Sequence, residues 1–249
     1  MMPSLFISHG SPTVLIEEDS AGRAFLSGLA EDLPRPKAIL VISAHWETRS
    51  LTVTGAEEHK TIHDFYGFPE ALFQMHYPAR GSSELTTRLQ GLLDAHIDPV
   101  RGLDHGAWSP LKLIYPNADI PVVQLGLQSG ESPAYLYQLG EQLKELRNEG
   151  VLIIGSGAVT HNLGEIRWNS TQPDDWAQAY EDWFVEKLES GDKDALLNAH
   201  AEAPHFTRAH PRDEHWLPLY VAMGAGDTAT LLHRGFEHGN LSMAAVRFD

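Results

Sequence analysis

Residues 38–46 of the chain read AILVISAHW, and this segment is the strongest indication of the fold class. Its first six residues are nearly all apolar, which is typical of a strand buried on both faces of a sheet. Similar short runs occur at 4–8 (SLFIS), 51–54 (LTVT), 121–127 (PVVQLGL), 151–155 (VLIIG) and 241–248 (LSMAAVRF). The chain therefore contains a sheet whose two faces must both be covered by other elements.

Longer segments with helical spacing of leucine lie between these runs. The leucines of 85–92 fall on one helical stripe, and those of 136–146 do the same before Gly150 ends the helix. A third helix is predicted over 176–188, after acidic residues that suit a helix N-terminus. Strands that alternate with helices of this length favour an α/β three-layer sandwich with a mostly parallel or mixed central sheet.

Composition places the chain in the ordinary globular range. Its 249 residues are 42% hydrophobic and 21% charged, enough to bury one sizeable core. Since no repeat or linker divides the sequence, we expect a single domain that spans residues 1–249. The N-terminus lacks a basic segment followed by a long apolar one, and no window approaches about 18 consecutive apolar residues. We therefore predict a soluble, cytoplasmic protein with no membrane partner.

Charge and cysteine content exclude several classes of function. The 34 acidic side chains outnumber the 18 basic ones, and the formal charge of −16 disfavours nucleic acid as a partner. The chain has no cysteine, so a metal ion must be held by nitrogen and oxygen atoms. The sequence also lacks the Gly-x-Ser-x-Gly elbow of serine hydrolases, the phosphate-binding loop and the His-Glu-x-x-His motif of zinc peptidases.

Histidine is unusually frequent, with fourteen residues. Three of them, His9, His45 and His161, follow apolar strands within a few residues. Ligands of open α/β sheets bind beyond the carboxyl ends of the strands, so we expect these imidazoles to converge at one edge of the sheet. A lone histidine in such a place is more often a capping or core residue. Three together favour a divalent metal site.

Two loop-to-helix junctions supply further candidates. His215 lies in DEHWLPL and His105 in GLDHGAW, each beside acidic residues and ahead of an apolar helical stretch. If only His215 or only His105 were considered, helix capping would explain it. His63, in the aromatic stretch TIHDFYGFP, fits a lid or pocket wall and fits a buried loop equally well. The remaining histidines are predicted to lie mostly at the surface: His59, His76, His96, His200, His205, His210, His233 and His238.

Together these motifs resemble the class III extradiol ring-opening dioxygenases of the 4,5-DOPA dioxygenase type. The motifs are HGSP at 9–12, SAHW at 43–46, TIHDFYGFP at 61–69, HYP at 76–78, LDHGAW at 103–108, HNL at 161–163 and EHWLPL at 214–219. They cover essentially the whole chain in order, and such a set is far more specific than any one motif.

The resemblance implies a single catalytic domain that opens a small aromatic diol beside its two hydroxyl groups. It implies O2 as the second substrate and Fe(II) as the working metal, with Zn2+ present in some isolated members. The positions that match the metal ligands are His9, His45 and His215. His161 matches either a further ligand or the acid/base residue, and His105 matches a histidine that touches the substrate. Glu214 is the alternative to His215, because many class III enzymes have glutamate as the third ligand.

The ligand histidines and the substrate carboxylate would both need partner residues. Histidine ligands usually need a partner for the second ring nitrogen, and Asp104, Asp213 and Glu47 are the nearest candidates in sequence. A DOPA-like substrate carries a carboxylate, for which Arg208 and Arg212 are possible partners. Two alternatives remain open at this stage: a zinc-dependent hydrolase that uses the same histidines, and a non-catalytic binding protein on the same fold.

Overall fold

A computed structural model describes residues 1–170 and 172–249. Its strands are β1 Ser4–Ser8, β2 Ala38–Ser43, β3 Thr52–Thr54, β4 His96–Asp98, β5 Val122–Gln124, β6 Val151–Gly157, β7 Ala229–His233, β8 Phe236–Glu237, β9 Leu241–Ser242 and β10 Ala245–Phe248. Its α-helices are α1 Ala21–Gly28, α2 Glu70–Phe73, α3 Ser83–Leu93, α4 His105–Ile114, α5 Pro133–Leu143, α6 Asp175–Glu189, α7 Lys193–Leu197, α8 Ala199–Glu202, α9 Phe206–Ala209 and α10 Pro218–Gly224. Short 3-10 helices cover Pro12–Leu15, Leu29–Asp32, Lys144–Arg147 and Leu163–Glu165.

A six-stranded mixed sheet forms the centre of the molecule, in the order β5-β2-β6-β1-β10-β7. The first four strands are parallel to one another, and β10 and β7 are antiparallel additions. Alternate residues of β2 point to opposite faces. Leu40 and Ile42 pack in the cluster that includes α5, α6 and α10, while Ile39 and Val41 pack in the cluster that includes α1 and α4. The predicted α/β three-layer sandwich is confirmed.

One strand prediction needs correction, and one predicted strand lies outside the central sheet. The run 241–248 is not one strand, because β9 pairs with β8 in a separate small sheet while β10 pairs with β1 in the central one. The run 51–54 forms β3, which pairs with β4 outside the central sheet. An apolar run shows that a segment is buried but not which strand it pairs with, so these partners were not readable from the sequence. Within the described residues, no helix is both long and apolar enough to cross a bilayer.

Glycine at the contact between α5 and α10 lets the two helix backbones touch. A Cβ on Gly140 would lie 2.2 Å from the carbonyl oxygen of Val221, and a Cβ on Gly224 would lie 2.0 Å from that of Tyr137. We predict that Gly140→Ala lowers the free energy of unfolding by about 1–3 kcal/mol, because the helices must separate. Urea denaturation measures this loss.

Gly91→Ala in α3 is the matched control. A Cβ there meets nothing within 4 Å. Helix propensity alone is then expected to raise the free energy of unfolding by up to about 1 kcal/mol. Equal stability of the Gly140 and Gly91 variants would contradict the close helix packing.

Candidate metal centre

Three adjacent parallel strands end at the same edge of the sheet, and a histidine follows each. His9 comes directly after β1, His45 follows β2 by two residues, and His161 follows β6 by four. His105 begins α4, and His215 lies in the loop before α10. The structure brings all five imidazoles together, with ring centroids 5.0 Å apart for His9 and His45 and 3.9 Å apart for His45 and His105.

The Nε2 atoms of two of these rings lie close to Nε2 of a third. The Nε2 atom of His45 lies 3.1 Å from Nε2 of His9 and 3.2 Å from Nε2 of His215. Two imidazole nitrogens that each lie about 2.1 Å from one divalent ion are separated by roughly 3.0–3.4 Å at octahedral or tetrahedral angles. Both separations from Nε2 of His45 therefore fit shared coordination of a single ion.

The hydrogen bonds around His9 determine its tautomer. The Ser156 hydroxyl donates to the carbonyl oxygen of Gly106, so its oxygen accepts the proton of His9 Nδ1 at 3.0 Å. Nε2 of His9 then carries a lone pair rather than a proton. A metal ligand needs that lone pair on the nitrogen that faces the ion.

His215 is held in the same way by a neighbour on its own chain segment. Its Nδ1 donates to Oε1 of Glu214 at 3.0 Å, which leaves the Nε2 lone pair directed at His45. His45 Nδ1 lies 3.7 Å from Oδ2 of Asp64. The Nε2 lone pairs of His9 and His215 both face His45, and a cation bound among the three rings would be stabilised there. His215, rather than Glu214, presents its free nitrogen to the cluster.

Burial keeps the ligand candidates neutral. Desolvation, followed by the charge of neighbouring imidazoles, lowers the pKa of His9 and His215 well below its ordinary value and lowers that of His45 to about 3. Neutral imidazole is the form that binds a divalent metal. Three neutral nitrogen donors without thiolate suit Fe(II) or Zn2+, both borderline ions that imidazole binds well.

His161 sits differently from the rings of His9, His45 and His215. Its ring stacks on that of His215, with centroids 3.5 Å apart and planes inclined by only 9°. An imidazole binds metal through a lone pair in its own plane, so two stacked rings do not direct lone pairs at one point. Burial, and next the charges of His45 and His105, lower the pKa of His161 to about 3, so this ring is neutral.

His105 is anchored by a carboxylate. Oδ1 of Asp64 accepts from both the backbone N–H and Nδ1 of His105, each at 2.9 Å. Nδ1 of His105 therefore carries a proton. A carboxylate that holds an imidazole in one tautomer is a common arrangement for proton transfer.

A cavity of about 460 Å³ opens beside the histidines. Residues 64–68 form part of its wall, and Leu163, Ile166 and Trp168 also line it. The aromatic stretch at 61–69 therefore contributes a pocket wall. His63 itself does not line the cavity, since its Nε2 donates to the carbonyl oxygen of Met75 at 2.9 Å.

The predicted partners of the ligand histidines are wrong. Asp104 accepts from the hydroxyl of Ser43 at 2.6 Å and caps α4, and Glu47 accepts from Arg212 at 2.7 Å. Among the described residues, Asp213 forms hydrogen bonds only through its backbone carbonyl oxygen. The residues that contact the second nitrogens are Ser156, Asp64 and Glu214. Asp64 lies next to His63 in the TIHDFYGFP motif, whereas no sequence pattern around Ser156 indicates a contact with His9.

Neither predicted arginine lines the cavity. Arg208 pairs with Glu165 at 2.6 Å, and Arg212 pairs with Glu47 at 2.7 Å. Both guanidinium groups are at the surface and already have carboxylate partners. The prediction that they bind a substrate carboxylate is not supported by this geometry.

Some histidines predicted at the surface are buried instead. His59 is 5% exposed, His210 is 3% and His238 is 6%. Each ring donates to a backbone carbonyl, those of Val122, Val159 and Trp168 respectively. A polar sequence neighbourhood does not reveal that a ring turns inward to satisfy a carbonyl.

Ser156→Ala tests whether the tautomer of His9 is held by this hydroxyl. We expect the affinity for Fe(II) or Zn2+ to fall by about 10–100-fold, because loss of such a partner leaves the ligand ring free to turn. Competition with a chromophoric chelator measures the change. Ser109→Ala is the matched control, since the Ser109 hydroxyl is also buried and has no hydrogen-bond partner among the described residues. Equal metal affinity in both variants would contradict the assignment.

Fold and site together define an α/β protein with a histidine-rich, non-haem metal site at the edge of its sheet. Residues 3–249 match the family described as "Catalytic LigB subunit of aromatic ring-opening dioxygenase". The chain belongs to this LigB family. The resemblance to extradiol ring-opening dioxygenases is confirmed by this match, and the hydrolase and non-catalytic alternatives receive no support from it.

Individual relatives agree with the family match. The chain is 43% identical to "4,5-DOPA dioxygenase extradiol" of Beta vulgaris, over 98% of this chain and 96% of the relative. It is 40% identical to the protein of that name in Escherichia coli K12, over 99% and 94%. A crystal structure of an uncharacterised protein from Escherichia coli K12 superposes with a TM-score of 0.84 at 35% identity and covers 100% of both chains.

Proposed function

We propose that this protein is an Fe(II)-dependent extradiol dioxygenase that opens the ring of a DOPA-like catechol with O2. The observation that carries the proposal is the approach of Nε2 of His9 and of His215 to Nε2 of His45 in a member of a ring-opening dioxygenase family. The relatives named 4,5-DOPA dioxygenase extradiol support the substrate class. The proposal includes a single catalytic domain over residues 1–249 and a cytoplasmic location.

His9, His45 and His215 are proposed to hold the metal, with Ser156 and Glu214 fixing two of the rings. When bound, Fe(II) supplies adjacent sites for the catechol oxygens and for O2 and transfers electrons between them. Zn2+ suits the same nitrogen donors but has no redox chemistry, so a zinc-loaded protein is expected to bind catechol without opening it.

His161 is proposed to move the protons of the reaction. Its neutral ring accepts the proton of a catechol hydroxyl, and the imidazolium formed can return that proton to an oxygen atom later in the cycle. The stacking on His215 supports a place for this ring beside the proposed metal site rather than among its ligands.

His105 is proposed to position the substrate. With Nδ1 bound to Asp64, its Nε2 accepts a hydrogen bond from the catechol and fixes the orientation of the ring. Phe65, which is buried and meets His105 edge to face at 5.6 Å, supplies an apolar surface for the ring and limits access of water.

The test is anaerobic loading with Fe(II) followed by oxygen uptake in the presence of DOPA and other catechols. We expect one O2 to be consumed for each catechol lost, with a coloured ring-opened product. The zinc-loaded protein is the control and should consume no oxygen. Product formation without O2, or equal activity with zinc, would reject the dioxygenase proposal and favour a hydrolase.

A further inference from the structure

The mouth of the catalytic cavity is aromatic. Phe68 and Trp168 contact each other across it, with ring centroids 5.9 Å apart and planes inclined by 80°. Tyr66, Leu163 and Trp168 are large side chains that remain 91%, 60% and 48% exposed at this mouth. Exposed apolar side chains gathered at one place indicate a surface that contacts a ligand.

The apolar and the charged side chains of segment 163–168 line two different cavities. Those that line the catalytic cavity are Leu163, Ile166 and Trp168. The charged ones, Glu165 and Arg167, line a second cavity, where Arg208 pairs with Glu165 and Asp174 pairs with Arg167. The wall that faces the substrate is therefore apolar, although the segment itself carries both signs of charge.

No lysine or arginine lines the catalytic cavity within residues 1–170 and 172–249. The one carboxylate in its wall is Asp64, whose side chain is 25% exposed. The whole chain also carries a formal charge of −16. An anionic substituent in this cavity would thus find no basic partner and would share the cavity with the Asp64 carboxylate, whereas an ammonium group would be favoured by that carboxylate and by the aromatic faces at the mouth.

The cavity is larger than a bare catechol requires. Its volume of about 460 Å³ lies in the range of pockets for drug-sized ligands, so a ring substituent extends toward the mouth. We propose that this enzyme selects catechols whose ring substituent carries no net negative charge, and that Phe68 and Trp168 bind this substituent. The proposal rests on the proposed function, since it assumes that a catechol occupies the cavity. DOPA meets the condition because its ammonium and carboxylate charges cancel.

Three catechols that carry their charged groups on the same two-carbon side chain test the proposal: dopamine, DOPA and 3,4-dihydroxyphenylpropanoate. Their dissociation constants are measured by anaerobic calorimetry on the full zinc-loaded chain, and kcat/KM is measured on the iron-loaded chain. We expect the propanoate to bind about tenfold more weakly than dopamine, with DOPA between them. Equal or tighter binding of the propanoate would overturn the proposal.

Variants locate the selectivity at the mouth. Ile166→Lys places a cation in the wall and should tighten propanoate binding relative to dopamine, while Val100→Lys, at a 78% exposed position outside the cavity, should leave the ratio unchanged. Trp168→Ala should raise KM for dopamine but not for unsubstituted catechol. If the two lysine variants behave alike, or Trp168→Ala affects both catechols equally, the assignment of the mouth is wrong.

These measurements separate the selectivity from the proposed function. Failure of every catechol to consume oxygen, with the expected order of binding intact, would reject ring opening and keep the charge selectivity. Oxygen uptake at equal kcat/KM with all three catechols would support ring opening and reject the selectivity.

Discussion

Replacing His45 with alanine is expected to remove bound metal and ring-opening activity together. Its Nε2 lies within 3.2 Å of Nε2 of both His9 and His215, so it occupies the middle of the three-nitrogen cluster. Loss of one of three nitrogen donors should lower metal affinity by more than the roughly 10–100-fold typical of a lost supporting contact. Metal analysis after dialysis, beside oxygen uptake with DOPA, measures both effects.

His9→Ala should behave like the His45 variant, because both rings contribute to the same cluster. His96→Ala is the control: this histidine lies exposed in β4, outside the cluster, and its variant should keep both metal and activity. Circular dichroism checks that the variants remain folded. Full activity in His9→Ala would reject the metal site at this edge of the sheet.

His161→Phe should separate metal binding from turnover. Phenylalanine keeps an aromatic ring stacked on His215 but has no nitrogen to accept a proton, so we expect most of the metal to remain. Turnover should fall by about 10²–10⁴-fold, the usual contribution of a positioned acid or base. Metal content and kcat are measured on the same preparation.

Comparison with the His45 variant makes the test of His161 decisive. If His161→Phe loses metal as completely as His45→Ala, then His161 is a ligand and the stacked geometry does not describe the loaded site. His161→Ala should resemble the phenylalanine variant in turnover. A variant with normal turnover would instead remove His161 from the reaction.

Most of the secondary structure that forms the site was readable from the sequence. The apolar runs at 4–8 and 38–43 are the observed β1 and β2, and the run at 151–155 extends two residues further as β6. A strand that is buried on both faces can be recognised from its own residues, since every residue of the run must be apolar or small. The histidines that follow these strands were predicted to converge on the same basis, and they lie together.

The sequence also identified the family, because several motifs occur in order along the whole chain. It did not reveal which neighbours orient the histidines, which histidines are buried, or where the arginines point. Ser156, which holds His9, is 147 residues away in the chain, and Asp64 reaches His105 across 41 residues. No local pattern encodes contacts at such separations.

The layered α/β architecture and the set of candidate ligands could be predicted from the residues alone, because strand burial and residue type are local properties. The proton positions on His9 and His215, and the orientation of the charged side chains of 163–168 away from the cavity, emerged from the folded chain. The physical reason is that a proton on an imidazole and the partner of a charged side chain depend on which groups packing brings within hydrogen-bond distance.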